Sequence, residues 1–369
     1  MLYELSKLRI LKFPIHRSIP FSSNALSPGT EIRPPFYVSK NLFSTTRQQQ
    51  TVNRVLITGG LGQLGRGIAS SLRSKLGDSN VFLSDIKDPD SETLKQGPFV
   101  RLDIIDKESI EKTVFENKID GVIHLSAILS ALGEKHPQKA IEVNIRGAEN
   151  ILDIAKNHNL RIFIPSSMGA FGPSTVKDST PDLTIMRPNT LYGIAKVYME
   201  LMGEYYNQKN GLDFRSLRYP GIISGDTPPG GGTTDYAVDI FHAAIEKNQY
   251  TCFLKKDTYL AMMYVDDCIS ETIKFFLAPR EQLSQCVYNV DAISFSPEEL
   301  SNEIKKQWSP EFEISYKPDY RQKIADTWPR SMCDSKARSD WNFYPKLTST
   351  SSLVSKMLSV IKRRNEYEK

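Results

Sequence analysis

Residues 53–65 read NRVLITGGLGQLG, and the order of parts within them decides the fold. NRVLIT reads as a buried strand. At Gly59 it breaks into a turn spaced G-x-x-G-x-x-G, and a helix follows to about Leu76. Glycine lets such a turn fold tightly and lets backbone N–H groups approach a pyrophosphate, while a helix N-terminus adds favourable partial charge. A strand, a glycine turn and a helix in that order predict a dinucleotide site built from Gly59, Gly62, Gln63, Leu64 and Gly65. The next strand, VFLSD at 81–85, ends on an acid. Asp85 at that place accepts hydrogen bonds from the adenosine ribose and repels the 2′-phosphate of NADP, so the expected cofactor is NAD.

Outward from this unit the pattern alternates. Strand-like runs FVRLD (99–103), GVIHLS (121–126), RIFIPSS (161–167) and DFRSLRY (213–219) are separated by helical stretches, among them KESIEKTVFEN and AIEVNIRGAENILDIAKN. Alternation of this kind predicts an α/β fold with a Rossmann, doubly wound parallel sheet and right-handed crossovers. Asp103 and Ile104, at the end of the third strand, are placed near the adenine. Asp103 has a competing role as N-cap of the KESIEK helix. Leu125, Ser126 and Ala127 pass the cofactor through backbone and shape. Beyond residue 220 a Pro/Gly-rich loop, SGDTPPGGGTTDY, and shorter elements predict a smaller mixed α/β substrate lobe. The expected division is 1–50 as a leader, 53–220 as the NAD-binding domain, 221–347 as the lobe and 348–369 as a C-terminal helix or tail.

Composition narrows the function. At 369 residues the chain suits one large α/β domain with a lobe, and its 40% apolar and 24% charged content is that of a globular protein. No apolar run approaches the roughly 20 residues of a membrane span. The net charge of +4 is concentrated at the start: residues 1–50 hold seven Lys/Arg and two acids, leaving 40 basic against 41 acidic side chains elsewhere. That balance offers no case for nucleic-acid binding or membrane partners. The basic, Ser-rich, acid-poor leader has the make-up of a mitochondrial transit peptide, which would place the mature protein in the matrix; the other reading of residues 1–50 is a disordered tail. Cys252, Cys268, Cys286 and Cys333 are scattered without a CxxC pair, so neither a metal site nor a disulfide framework is expected.

The chemistry sits in LYGIAKVYMEL. Tyr192 and Lys196 are four residues apart and project from one face of a helix. A free phenol titrates near pH 10 and is a poor base at neutral pH. The Lys196 ammonium and a positive nicotinamide would stabilise the phenolate and lower that pKa. Lys196 also reaches the nicotinamide ribose. Ser167, before them in sequence, can hold a substrate oxygen as an alcohol becomes a carbonyl.

TGGLGQLG, HLSA, PSSMGAFG and YGIAK, in that order, resemble the extended short-chain dehydrogenase/reductase superfamily. Within it, AILSALGEK, RYPGIIS, PPGGGTTDYAVDIFHAA and TWPRSMCDSKARSDW look like the short-chain L-threonine 3-dehydrogenases, and the similarity spans about 53–347. This resemblance implies oxidation of the L-threonine β-hydroxyl by NAD to 2-amino-3-ketobutyrate, and a homodimer packed through the Tyr192 helix. It implies that Asn144 bends a helix and helps organise a proton relay. Ser130, Ser166, Ser167, Thr233, Thr234 and Trp328 would contact substrate with Tyr192, and Ile222 would meet nicotinamide through its backbone. Phe171, where many relatives have Tyr, is expected on a cofactor-side wall.

Two other readings share these residues. A nucleotide-sugar epimerase or dehydratase would need cations for a pyrophosphate, and Arg218, Arg321 and Arg330 are available, though Arg218 looks buried in a strand. A non-catalytic NAD-binding protein would typically lack the tyrosine or the lysine, and both are present.

Overall fold

The structure, a computed structural model, describes residues 51–226 and 230–367. The leader expected in residues 1–50 lies outside the described residues, as do positions 227–229 of the Pro/Gly loop. The strands are β1 (Val55–Thr58), β2 (Val81–Asp85), β3 (Phe99–Arg101), β4 (Gly121–His124), β5 (Arg161–Phe163), β6 (Ser166–Ser167), β7 (Asp213–Tyr219), β8 (Gly221–Ile223), β9 (Gln249–Cys252), β10 (Leu260–Tyr264), β11 (Val287–Asn289), β12 (Ile293–Phe295) and β13 (Glu313–Tyr316). The main sheet runs β3-β2-β1-β4-β5-β7-β11 with β6 beside β7, every pair parallel.

Alternation along each strand builds the two layers. Val55, Ile57, Leu83, Ile123 and Phe163 pack with the helices Gln63–Leu76 and Val265–Leu277. Their neighbours Leu56, Phe82, Val122 and Ile162 pack on the other face with Lys107–Glu116, Ala148–Asn157 and Leu191–Asn210. Strand order reverses at β1, so the crevice above β1 and β4 is where a doubly wound sheet takes its ligand.

The strand expected over 161–167 is interrupted at Ile164–Pro165, yet both halves keep one register: Arg161 faces Asp213, and Ser166 faces Arg218. Pro165 has no N–H to give the ladder. The helix expected from 140 begins at Pro137 and contains a wider π-helical turn, Glu142–Gly147, around Asn144.

The boundary expected at 220/221 is not a clean cut. β8, β10 and β12 form a small mixed sheet and β9 pairs β13, but β11 returns to the edge of the main sheet beside β7. The segment after 348 is likewise more than a tail. Helix Thr350–Tyr367 buries Leu353, Val354, Met357 and Ile361 in the core of the lobe with Phe241, Leu300 and Ile304. Among the described residues no helix is long and apolar enough to cross a membrane.

Candidate active site

The glycine turn is shaped for close approach. Gly59 has φ +65°, and a Cβ there would lie 2.8 Å from the Ser126 nitrogen, so no side chain fits where the turn passes β4. Gly65 packs directly on the Gly60 backbone. Helix Gln63–Leu76 starts at Gly62 with no side-chain cap and no acid in its first turn, leaving its N–H groups for an anion. The Asp85 carboxylate stands at this loop and accepts from the Leu61 N–H at 3.3 Å. These residues fit a dinucleotide: a side-chain-free turn for the phosphates and an acid for the ribose.

Helix Leu191–Asn210, which carries Tyr192 and Lys196, is fixed at its start. Thr190 caps it, accepting from the Gly193 N–H at 3.1 Å, and Glu134 accepts from the Leu191 N–H at 2.8 Å. Gly169 makes room for the Tyr192 ring, since a Cβ there would meet it at 3.1 Å. Ser167 Oγ accepts from the Gly169 N–H at 3.1 Å and hydrogen-bonds the Tyr192 hydroxyl. Lys196 Nζ lies 5.4 Å from the Tyr192 ring centre and donates to the Pro165 carbonyl at 2.6 Å. Pro165 sits at the break in the strand.

One cleft of about 360 Å³ gathers Gly59, Gly62, Gln63, Leu64, Gly65, Leu125, Ala127, Ser130, Ser167, Tyr192, Lys196, Ile222, Thr233, Thr234 and Trp328. Ser130 Oγ and Thr233 Oγ1 are 3.4 Å apart. Trp328 is 5% exposed and its indole N–H has no partner among the described residues, a donor at the cleft wall. A more open cavity of about 580 Å³ lies between helix Tyr236–Lys247 and strands β9 and β13 and contains none of these residues.

Two expectations change, for Ser166 and for Phe171. Ser166 reaches the cleft wall, but its hydroxyl donates to Glu200, because alternation turns it away from the side Ser167 faces. Asn144 stands on the π-helical turn, where its amide exchanges bonds with the Ile128 backbone at 2.8 and 2.9 Å, beside a cavity of about 20 Å³ shared with His124, Ser126 and Lys196. Phe171 is fully buried under the Arg218 guanidinium and forms no part of the cleft wall. Burial raises the Tyr192 pKa above its ordinary value against the Ser167 bond, and burial draws Lys196 itself down to about 8.

Asp103 does not cap the following helix. Asp106 does, accepting from the Ser109 N–H at 3.0 Å, while Asp103 accepts from Ile105 at 3.0 Å and stays exposed. Ile104 is buried, close against Gly147, and lies outside the cleft lining. Arg218 is bound to Glu200, Arg321 to Asp319 and Arg330 to Asp178, and none lines the cleft.

Sequence reasoning missed three residues here. Asp235 accepts from the Gly231 and Gly232 N–H groups, both at 2.7 Å, and so shapes the loop that carries Thr233. His124 ends β4 against Thr58 at 2.7 Å, its pKa lowered to about 3 by burial and by Lys196. Glu200 is buried one turn beyond Lys196. The i, i+4 spacing of Lys196 and Glu200 was the available signal for the last.

A model of the NAD dependent epimerase/dehydratase family matches residues 55–291, which include the glycine turn, helix Leu191–Asn210 and most of the cleft. The chain belongs to this family. Within the family its likeness is specific. It is 52% identical over 304 residues to the mitochondrial L-threonine 3-dehydrogenase of Bos taurus, covering 82% of this chain and 81% of that one. The L-threonine dehydrogenase of Phytophthora infestans superposes with a TM-score of 0.81 at 48% identity, over 84% of this chain and 99% of the other. A monomeric L-threonine 3-dehydrogenase from a metagenome gives 0.80 at 43% identity, over 84% and 99%. The family's Rossmann sheet and glycine turn are those described above, and its members' cofactor is NAD.

Proposed function

We propose that the chain is an NAD-dependent L-threonine 3-dehydrogenase, oxidising the β-hydroxyl of L-threonine to give 2-amino-3-ketobutyrate. The observation that carries this reading is the meeting of Ser167, Tyr192 and Lys196 with Thr233 and Trp328 in one small cleft below the glycine turn. NAD, when bound, supplies the hydride acceptor. The turn Gly59–Gly65 would hold its phosphates and Asp85 its adenosine ribose.

Ser167 and Tyr192 grip the substrate hydroxyl, and Tyr192 takes its proton. Lys196 holds positive charge beside the phenol and steadies the phenolate that the reaction needs. Ser130, Thr233 and the Trp328 N–H suit a compact zwitterion, whose carboxylate can accept from hydroxyl and indole donors. The cavity beside Asn144 has room for one water next to Lys196, a path for the proton to leave. A nucleotide-sugar substrate fits less well, since Lys196 is the one cation lining the cleft among the described residues.

The residue roles are tested by NADH formation with L-threonine and with L-allo-threonine, serine and a UDP-sugar in parallel. Wild-type protein should turn over L-threonine in preference to the others. Tyr192→Phe should lower kcat by ~10²–10⁴-fold while NAD binding stays within ~3-fold. A Phe variant at wild-type rate removes the base.

Two wider readings go with this one. Ile194, Leu201 and Tyr205 are exposed along one face of the catalytic helix, with Leu132 from the adjoining helix Ser130–Lys135. An exposed apolar patch of that kind favours a second copy of the chain, a homodimer. The basic leader and the mitochondrial relatives favour import into the mitochondrial matrix, with residues 1–50 as the transit peptide.

A further inference from the structure

Glu200 lies one helical turn beyond Lys196 and is only 3% exposed. Its carboxylate accepts from Ser166 Oγ and forms a two-point pair with Arg218, Nε to Oε1 at 3.0 Å and Nη2 to Oε2 at 2.8 Å. Ser166 follows Pro165, whose carbonyl accepts from Lys196 Nζ. A ring therefore closes on itself: Lys196 to Pro165, Pro165 to Ser166, Ser166 to Glu200, and back along the helix to Lys196. Ser167, the next residue of the same strand, is the one that bonds Tyr192.

A buried ion pair is a poor way to stabilise a core, because well-packed apolar residues often do as well or better. What the acid adds here is placement. It ties Ser166 of the interrupted strand to the helix that holds Pro165 through Lys196, and sets a negative charge near the ammonium.

We propose that Glu200 is a positioning residue for the oxidation: through Ser166 it fixes the Pro165 carbonyl that holds Lys196, and it places a buried anion behind the ammonium that serves Tyr192. The proposal rests on the threonine-oxidising reading for its kinetic test and is independent of it for its titration test. The groups facing Lys196 are Tyr192 and Glu200 of its own helix and His124 of β4, with Asn144 across the small cavity. His124 is neutral near pH 7, and Arg218 of β7 spends its charge on Glu200. Burial lowers the Lys196 pKa, and the Glu200 charge opposes that fall.

The titration is read by trace acetylation of Lys196 with acetic anhydride across pH, followed by mass spectrometry on the full-length protein. Glu200→Gln should move the Lys196 midpoint down by ~0.5–1 unit from its wild-type value, and the alkaline limb of kcat should move with it. A purely structural glutamate would lower yield or stability and leave the midpoint in place, and that result overturns the proposal. Ser166→Ala keeps the Glu200–Arg218 pair and removes only the link, so it decides the matter even if Glu200→Gln folds poorly. It should lower kcat for L-threonine by ~10-fold with the KM for NAD within ~2-fold. Wild-type kcat in Ser166→Ala would overturn the positioning role. Failure of the wild-type chain to oxidise threonine would sink the substrate assignment and leave the acetylation result standing.

Discussion

Tyr192 and Lys196 each carry a cost of burial, in opposite chemical directions. The phenol becomes a weaker acid and the ammonium a stronger one, because low polarity disfavours both charged forms. In the proposed reaction the pair would need further positive charge at the phenol, which the cationic nicotinamide ring would supply. Lys196 with a pKa of about 8 is mostly charged at neutral pH and loses its proton as the pH rises past that value. Cofactor choice belongs to this scale too: in the proposed reading it would rest on the carboxylate of Asp85 at the loop. Asp85→Ala should raise the KM for NAD by ~10-fold and improve use of NADP, as expected for loss of hydrogen bonds to a charged group. Initial rates with the two cofactors measure this, and an unchanged preference would remove Asp85 from the ribose site.

Between neighbouring strands, His124 and Thr58 tie the end of β4 to the end of β1 directly under the glycine turn. The imidazole is buried as the neutral form, with a folded pKa of about 3 against an ordinary value of 6.5. Between those two values the unfolded chain binds a proton that the folded one refuses, so stability falls as the pH drops from 6.5 towards 3. The loss reaches about 4–5 kcal/mol at most. His124→Asn keeps a polar partner for Thr58 and lacks the proton, so its denaturation midpoints should decline less steeply over that range. Parallel acid profiles in both proteins would count against the assignment. Much at this scale was legible beforehand. VFLSD and DFRSLRY are strands over the lengths expected, because local apolar runs bounded by turns state their own ends. β11 was not legible: three residues joining the edge of a distant sheet are placed by tertiary pairing, with no local pattern to announce it. Ser166 was misread for a related reason. The sequence shows two adjacent serines, and only the strand register and the buried Glu200 decide which one faces the cleft.

For the molecule as a whole, the crevice is lined both by residues of the parallel-sheet domain and by Thr233, Thr234 and Trp328 from beyond residue 220, with Trp328 packed into the core of the lobe. The exposed apolar face of the catalytic helix lies on the same element as Tyr192, and dimer packing would stiffen that element. Leu201→Glu, which charges the middle of the face, should shift the protein from dimer to monomer in light scattering. Wild-type protein that is monomeric at micromolar concentration would contradict the dimer, as the monomeric relative shows is open to this fold. The central claim concerns one bond, the C–H on the β-carbon of threonine, broken while Tyr192 removes the hydroxyl proton. L-threonine deuterated at that carbon, mixed with NAD and the purified protein, tests it most directly. The account predicts deuterium on the nicotinamide ring of the NADH formed, ketone at the former β-carbon, and neither product with Tyr192→Phe. NAD that binds without accepting deuterium, or a Phe variant that forms both products, would contradict it.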